Sequence, residues 1–228
     1  VSKLIAGNIL LFPNVNWENM WDATQETLYM SVVALLFTFL FGLLLGLLLF
    51  LTDRGNLWEN RIIQGVTAAY VNVFRSIPFI ILIVLLIPFT RIVVGTMLGP
   101  SAALPALIIG AAPFYARMVE IALREIDKGV IEASKSMGAS NSQIIFKVLL
   151  PESMPALVSG LTVTAIALVS YTAMAGVIGA GGLGDLAYRD GFQRRNTDIT
   201  LMATLIVLVI VFILQFIGDR LTNRLDKR

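Results

Sequence analysis

Neither cysteine nor histidine occurs anywhere in the 228 residues, and only 14% of them carry a charge. Without cysteine there are no disulfides and no thiolate nucleophiles; without histidine there are no imidazole bases, and together the two absences remove the usual zinc ligands. Catalysis by this chain is therefore not expected, and no cofactor or metal of its own is assigned to it. No Gly-x-x-x-x-Gly-Lys-Ser/Thr loop is present, so nucleotide phosphates find no cradle here. The first residues, from Val1, Ser2 and Lys3 through polar and aromatic positions to Trp21, lack the basic, apolar and small-residue order of a cleavable signal, and no signal peptide is expected. Apolar side chains take the place of charge: 57% hydrophobic residues and a mean hydropathy of +0.83 point to a bilayer as the solvent. The formal charge of +2 implies no nucleic-acid partner.

Five stretches can serve as membrane spans. The first, 28–51, is free of charge between Glu26 and Asp53, and at about 1.5 Å per residue it crosses a core of about 30 Å with length to spare. Gly42 and Gly46 within it form a small-xxx-small pair, which either lets helix backbones approach closely or is incidental in a Leu-Gly-rich run. The second, 62–88, is interrupted at Phe74-Arg75-Ser76-Ile77-Pro78 and again at Pro88, which predicts a broken or kinked helix. The third, 101–122, follows a turn supplied by Gly95, Gly99 and Pro100, and its uncharged part ends at Ala116. The fourth, 155–178, lies in the uncharged stretch between Glu152 and Asp185, and the fifth covers 199–218. The five spans are read as holding no acidic residue, so proton relays and paired carboxylates are expected to lack their raw material. The expectation is one all-α membrane domain over residues 1–228 with five transmembrane helices.

An odd number of spans puts the termini on opposite sides. One set of connecting segments holds Arg54, Arg61, Arg117, Arg124, Lys128, Lys135, Lys147, Arg220, Arg224, Lys227 and Arg228; the other holds Lys3, Arg91, Arg189, Arg194 and Arg195. The richer set is expected in the cytoplasm, with the N-terminus outside and the C-terminus inside.

The longest charged stretch, Arg117 to Pro151, contains a loop over 123–151 that reads as two short helices. Asp127 caps the first, Val130, Ala133, Ser134 and Met137 share a face at helical spacing, and Gly138 offers the left-handed conformation that ends a helix. Ser140 and Gln143 form a capping box for the second, whose apolar edge, Ile144, Ile145, Val148 and Leu149, extends to Leu150-Pro151. A helix that docks in a partner's groove needs small residues at the contact, here Ala133 and Ser134, an apolar edge, and a polar residue to set register, here Glu132. The alternative is a solvated amphipathic linker.

Glu132-Ala133-Ser134, three residues, Gly138, nine residues, Val148, one residue and Leu150-Pro151 resembles the EAA loop of ABC importer permeases. Ser134 stands where a second alanine is usual and Val148 where isoleucine is usual. Asn72 to Phe79, Ile87 to Arg91, Gly110 to Glu120 and Gly179 to Gly184 are similar to the methionine importer permeases, and the similarity runs from about residue 22 to the C-terminus. The resemblance implies the type I ABC importer permease fold in a bacterial cytoplasmic membrane. It also implies a second copy of the chain, two ATPase subunits that carry ATP and magnesium, and an external substrate-binding protein or lipoprotein. The loop residues Glu132, Ala133, Ser134, Gly138, Val148, Leu150 and Pro151 would then couple to the ATPase, and methionine, in its L and also its D form, is the expected cargo. Permeases for glycine betaine, phosphonate or polar amino acids share some of these pieces and stand as alternatives. A stand-alone carrier or channel is the reading from another class.

Arg75 is the one charge set inside an apolar stretch, where arginine costs about 2.5 to 3.5 kcal/mol on insertion scales. With Ser76 and Pro78 it either borders the substrate route at a helix break, or snorkels and satisfies carbonyls freed by Pro78. Late in the fourth span, Tyr171 and Met174 are candidates for the pathway, Met174 as a soft gate or as ordinary packing. Gly179-Ala180-Gly181-Gly182-Leu183-Gly184 satisfies Gly-x-Gly-x-x-Gly, but it follows a membrane helix rather than a strand, so a dinucleotide site is not expected. These glycines are expected either to turn the chain back into the outer mouth or to form a plain flexible turn.

Overall fold

The computed structural model describes residues 14–226, so Lys3, Lys227, Arg228 and most of the stretch read for a signal lie outside the described residues. Among the described residues every regular element is helical: α1 (Trp17–Leu51), α2 (Arg61–Ser76), α3 (Phe79–Leu85), α4 (Ile87–Val94), α5 (Pro100–Arg124), α6 (Lys128–Ser136), α7 (Asn141–Ile144), α8 (Leu150–Ala175), α9 (Gly182–Asp185) and α10 (Thr197–Leu225). Wide π turns over Ile145–Leu149, Gly176–Ala180 and Leu186–Gln193 join or extend them. By length and composition four helices can cross a membrane, Trp17–Leu51, Pro100–Arg124, Asn141–Ala180 and Thr197–Leu225, or five if the broken pair α2 and α3 counts as one span.

Local chemistry sets most of the boundaries. The Asn16 carboxamide accepts the free N–H groups of Glu18 and Asn19, so α1 starts well before the apolar stretch that begins at Leu28. Asn60 caps α2 through the N–H groups of Ile62 and Ile63. Helix α2 stops at Ser76 because Ile77, held extended at φ −82°, ψ 122° by the proline behind it, cannot continue the turn. The second span is thus broken where Pro78 predicts. The helix expected to close at Leu150-Pro151 does not close there. The π turn before it carries the chain through, with the Leu150 N–H bonding the Ile145 carbonyl, and residues 141–180 run as one helix past both Pro151 and Pro155. A ring without an N–H is tolerated where the preceding turn is already widened.

The chain divides into two compact units. The first takes 14–34, 79–107 and 167–213 among the described residues. Its buried side chains include Met30 and Ala34 of α1, Leu82 of α3, Ala106 and Leu107 of α5, Leu168 of α8 and Leu183 of α9. The second takes 35–78, 108–166 and the last segment from 214. Its core joins Phe50 and Leu51 at the end of α1 to Tyr115, Val119, Ala122, Leu123 and Ile126 of α5 and its tail, and to Ile144, Ile145, Leu149 and Leu157.

Gly42 and Gly46 are not incidental. A Cβ on Gly46 would lie 2.5 Å from the Val119 Cβ and 2.6 Å from the Ala116 carbonyl oxygen, and one on Gly42 would lie 2.9 Å from the Ala112 carbonyl oxygen. Helix α1 therefore rests on the backbone of α5, the approach that such pairs allow.

One expectation is corrected in α5. The spans are not free of acid: Glu120 lies inside the expected 101–122, on a helix that runs on to Arg124, and it is only 2% exposed. Its carboxylate survives burial because two arginines on the same face, at i−3 and i+4, supply charge and hydrogen bonds. The apolar count alone could not place this acid, because its helix outlasts the run of uncharged residues.

Candidate functional site

The segment expected to couple folds as the local signals predict up to its second helix. Asp127 accepts the Gly129 N–H at 2.7 Å and starts α6. At the other end Gly138 takes φ +82°; its N–H bonds the Lys135 carbonyl, and the Ala139 N–H bonds the Ser134 carbonyl. That paired closure is the Schellman motif, which only a residue free of a Cβ forms without strain. Ser140 and Gln143 then form the reciprocal capping box of α7. The reversal from α6 to α7 thus needs only Met137 to Ser140.

Ile144, Ile145 and Leu149 drive the hairpin's second limb into the core beside Phe50, Leu123 and Ile126, and Ile131 of the first limb packs against the same cluster. Burial of each such side chain contributes roughly 1.5 to 3 kcal/mol, so the hairpin is a rooted element rather than a solvated linker. The face shared by Val130, Ala133 and Met137 points the other way and is exposed, with Met137 at 82%. Glu132, Gly138 and Pro151 are exposed as well, while Val148 and Leu150 are half-buried. Ser134 departs from the expected contact set: it is buried, and its hydroxyl donates to the Val130 carbonyl. Phe146, 68% exposed, is a surface aromatic that the motif spacing passed over. It is recognisable as the residue out of register with the buried positions 144, 145 and 149.

Arg75 and Ser76 lie at the end of α2, a helix with two unlike faces. Arg61, Gly65, Asn72, Arg75 and Ser76 form an exposed polar stripe, while Ile62, Val66 and Val73 are exposed on the apolar side. Arg75 has no ion-pair partner among the described residues, and Pro78 is exposed beyond the break. The Ser76 hydroxyl donates to the Asn72 carbonyl at 2.8 Å, so a serine rather than the arginine satisfies a carbonyl of the last turn. Tyr171 on α8 stacks flat on Phe79, with ring centroids 4.5 Å apart and 6° between planes. Met174, one turn further on, is 44% exposed.

The glycine segment is neither loose nor open. Gly179, Gly181 and Gly182 hold φ between +80° and +97°, and the chain folds back so that a Cβ on Gly176 would strike the Asp185 backbone and one on Gly184 the Ala173 backbone. Helix α1 latches the fold: Glu26 accepts the Gly182 N–H at 2.6 Å and the Thr27 hydroxyl accepts the Leu183 N–H at 2.9 Å. The Gly99 N–H bonds the Gly179 carbonyl. With the Gly182 and Leu183 N–H groups spent on α1 and Gly184 packed against the Ala173 backbone, this segment is not laid out as a phosphate cradle. Just beyond it, Arg189 pairs with Asp185 and Asp190, and Arg194 with Asp190. Burial raises the Asp185 carboxyl above its ordinary range, Arg189 opposing the shift and Asp190 adding to it. Among the described residues no group of three or more acidic side chains is placed to hold a metal ion.

Comparison with known proteins gives this geometry its family context. Residues 42–228 match the family model for the binding-protein-dependent transport system inner membrane component. The chain is 66% identical over 217 residues to the methionine import system permease protein MetP of Bacillus subtilis, covering 95% of this chain and 98% of that one. It is 49% identical over 212 residues to the probable D-methionine transport system permease protein MetI of Pasteurella multocida, covering 93% and 98%. Among solved structures, inward facing conformations of the MetNI methionine ABC transporter superpose with TM-scores of 0.87 and 0.89 at 48% and 47% identity. They cover 89% and 91% of this chain and 94% and 96% of those chains.

Proposed function

The chain belongs to the binding-protein-dependent transport system inner membrane components, in their methionine-import branch, and from that premise we propose that it is the permease through which an ATP-driven importer moves L- and D-methionine. It is a multi-pass protein of the cytoplasmic membrane and works as two copies, with two ATPase subunits on the inner side and a substrate-binding protein delivering cargo outside. Transport, not catalysis, is its activity, and ATP with its magnesium is the substrate of the partner ATPase. The observation that carries the cargo reading is the 66% identity with a methionine import permease over nearly the whole of both chains. The test is uptake of labelled methionine into vesicles holding the reconstituted complex. Unlabelled methionine should compete and glycine betaine should not; the reverse pattern overturns the cargo.

We infer five spans, counting α2 and α3 as one, so that the termini lie on opposite sides, with the N-terminus outside and the C-terminus inside. The distribution of arginine and lysine supports that orientation. The hairpin over 123–151 then lies in the cytoplasm as the coupling element. Glu132, Ala133 and Gly138 offer the exposed surface, joined by Met137 and Phe146 as apolar anchors, and Val148, Leu150 and Pro151 form the base. Buried Ser134 supports that surface from beneath. When two ATPases close on ATP they draw the paired hairpins together, and the rooted helices turn from inward-open to outward-open.

Arg75, Ser76 and Pro78 at the end of α2 are one candidate border of the route, and Tyr171 and Met174 on α8 are another, each taken by itself. Support comes from the exposed polar stripe of α2, which in a bilayer requires water or a polar neighbour. Unpaired guanidinium charge suits the carboxylate of a zwitterionic cargo. Replacing Arg75 by glutamine is expected to cut methionine uptake about tenfold, the worth of one charge-assisted hydrogen bond at roughly 1.5 kcal/mol, with unchanged protein level. Met174→Ala should instead raise leak of methionine from preloaded vesicles. Unaltered uptake in the first and unaltered leak in the second remove these residues from the route.

A further inference from the structure

Helix α5 carries a charge arrangement that the transport reading does not use. The Glu120 carboxylate, 2% exposed, takes the Arg117 guanidinium at 2.6 Å on one oxygen. Its other oxygen takes both Nε of Arg124 at 3.1 Å and Nη2 at 2.8 Å. The same Nη2 reaches 2.8 Å further, to Asp53, which lies two residues past the end of α1. Arg124 is the last residue of α5, and α6 of the hairpin begins four residues later.

We propose that Glu120 is a positioning residue for energy coupling: it aims Arg124 at Asp53, so that the ends of α5 and α1 and the hairpin rooted on them move as one rigid piece. The argument turns on direction. Apolar packing among Phe50, Leu51, Leu123 and Ile126 already holds these ends together, but it is indifferent to small slides and rotations. A guanidinium gripped through two nitrogens by a buried carboxylate has one orientation, and its remaining contact sets the register of Asp53. The Arg124–Asp53 pair is half exposed, with side-chain exposures of 52% and 30%. Pairs of that kind add little to stability. Loss of Asp53 should therefore appear in the force transmitted rather than in the folding of the chain. The same burial that makes Glu120 a poor candidate for gating, since it would be left uncompensated, makes it a good anchor.

The inference rests on the hairpin being the contact with the ATPase. Its test is the number of methionine molecules moved per ATP hydrolysed by the complete complex in vesicles. Asp53→Asn, which leaves Glu120 paired, is expected to lower that ratio about fivefold or more with unchanged thermal unfolding. Asp53→Glu, which keeps a carboxylate for Arg124 and leaves Glu120 paired, should hold the ratio within a factor of about two. An unchanged ratio in Asp53→Asn, or a ratio in Asp53→Glu as low as in Asp53→Asn, overturns the rigid tie. Copurification of the ATPase with Ala133→Trp, measured alongside, separates the two readings. If the ATPase still binds that variant, the hairpin reading fails; if it is lost while Asp53→Asn keeps its ratio, only the tie fails.

Discussion

Replacing Ala133 by tryptophan is expected to reduce methionine uptake at least about 100-fold and to strip the ATPase from the purified permease. Ala133 lies on the exposed face of α6 between Val130 and Met137, and the side buried in the permease's own core is that of Ile131 and Ser134. Ala133 is exposed, so an indole there is expected to leave folding and membrane level unaffected. If the hairpin is the coupling element, what that indole meets is the ATPase. In a groove that accepts a helix at small-residue distance, a bulky group at the centre of contact costs about 2 to 4 kcal/mol, and two hairpins per complex incur it twice. Ala133→Ser, nearly isosteric, should retain uptake within a factor of about two. The measurement is ATPase recovery on a tagged permease together with initial uptake rates. Normal uptake in the tryptophan variant at normal membrane levels would remove the hairpin from the transmission path.

The hairpin was legible in the sequence because its determinants are local. Asp127 before α6, Gly138 after it, and Ser140 paired with Gln143 each act on backbone groups within a few residues, so their offsets alone locate the turn. The break at Pro78 was legible for the same reason. The side each limb shows to solvent was not. Ala133 and Ser134 are adjacent, both small, and equal in any reading of spacing; only the cluster around Leu123 and Ile126 decides that Ser134 turns inward and Ala133 outward. Glu120 lies inside the expected span 101–122 and still goes unseen, because the spans are judged by their uncharged stretches and the third of these ends at Ala116. Arg117, Glu120 and Arg124, at i, i+3 and i+7, were the available signal. Pro151 misled in the other direction, because the π turn that accommodates it has no sequence mark of its own. At the glycine segment the string allowed a loose turn and a tight fold-back equally. The choice is made by Glu26 and Thr27, about 156 residues away, which accept its N–H groups.

Gly46→Leu is expected to destabilise the protein by about 3 kcal/mol or more, enough to deplete it from the membrane, and even Gly46→Ala should destabilise. The sign of the alanine variant is the informative part. In a helix interior, alanine is favoured over glycine by about 1 kcal/mol, so intrinsic propensity argues for a gain. Against it stands the position of the new carbon, 2.5 Å from the Val119 Cβ and 2.6 Å from the Ala116 carbonyl oxygen. Neither atom is the free end of a side chain. One is branched directly at the backbone and the other is backbone, so relief requires α1 to move off α5. That movement would loosen the contacts of Phe50 and Leu51 with Leu123 and Ile126, on which the hairpin is rooted. Gly65, on α2, is the matched control: a Cβ there meets nothing within 4 Å, and Gly65→Ala should be neutral or stabilising by up to about 1 kcal/mol. Thermal unfolding in detergent should therefore come earlier for Gly46→Ala and stay level or come later for Gly65→Ala. A rise for both would mean that the helices α1 and α5 do not approach through Gly46, and that helix propensity alone sets the outcome along this chain.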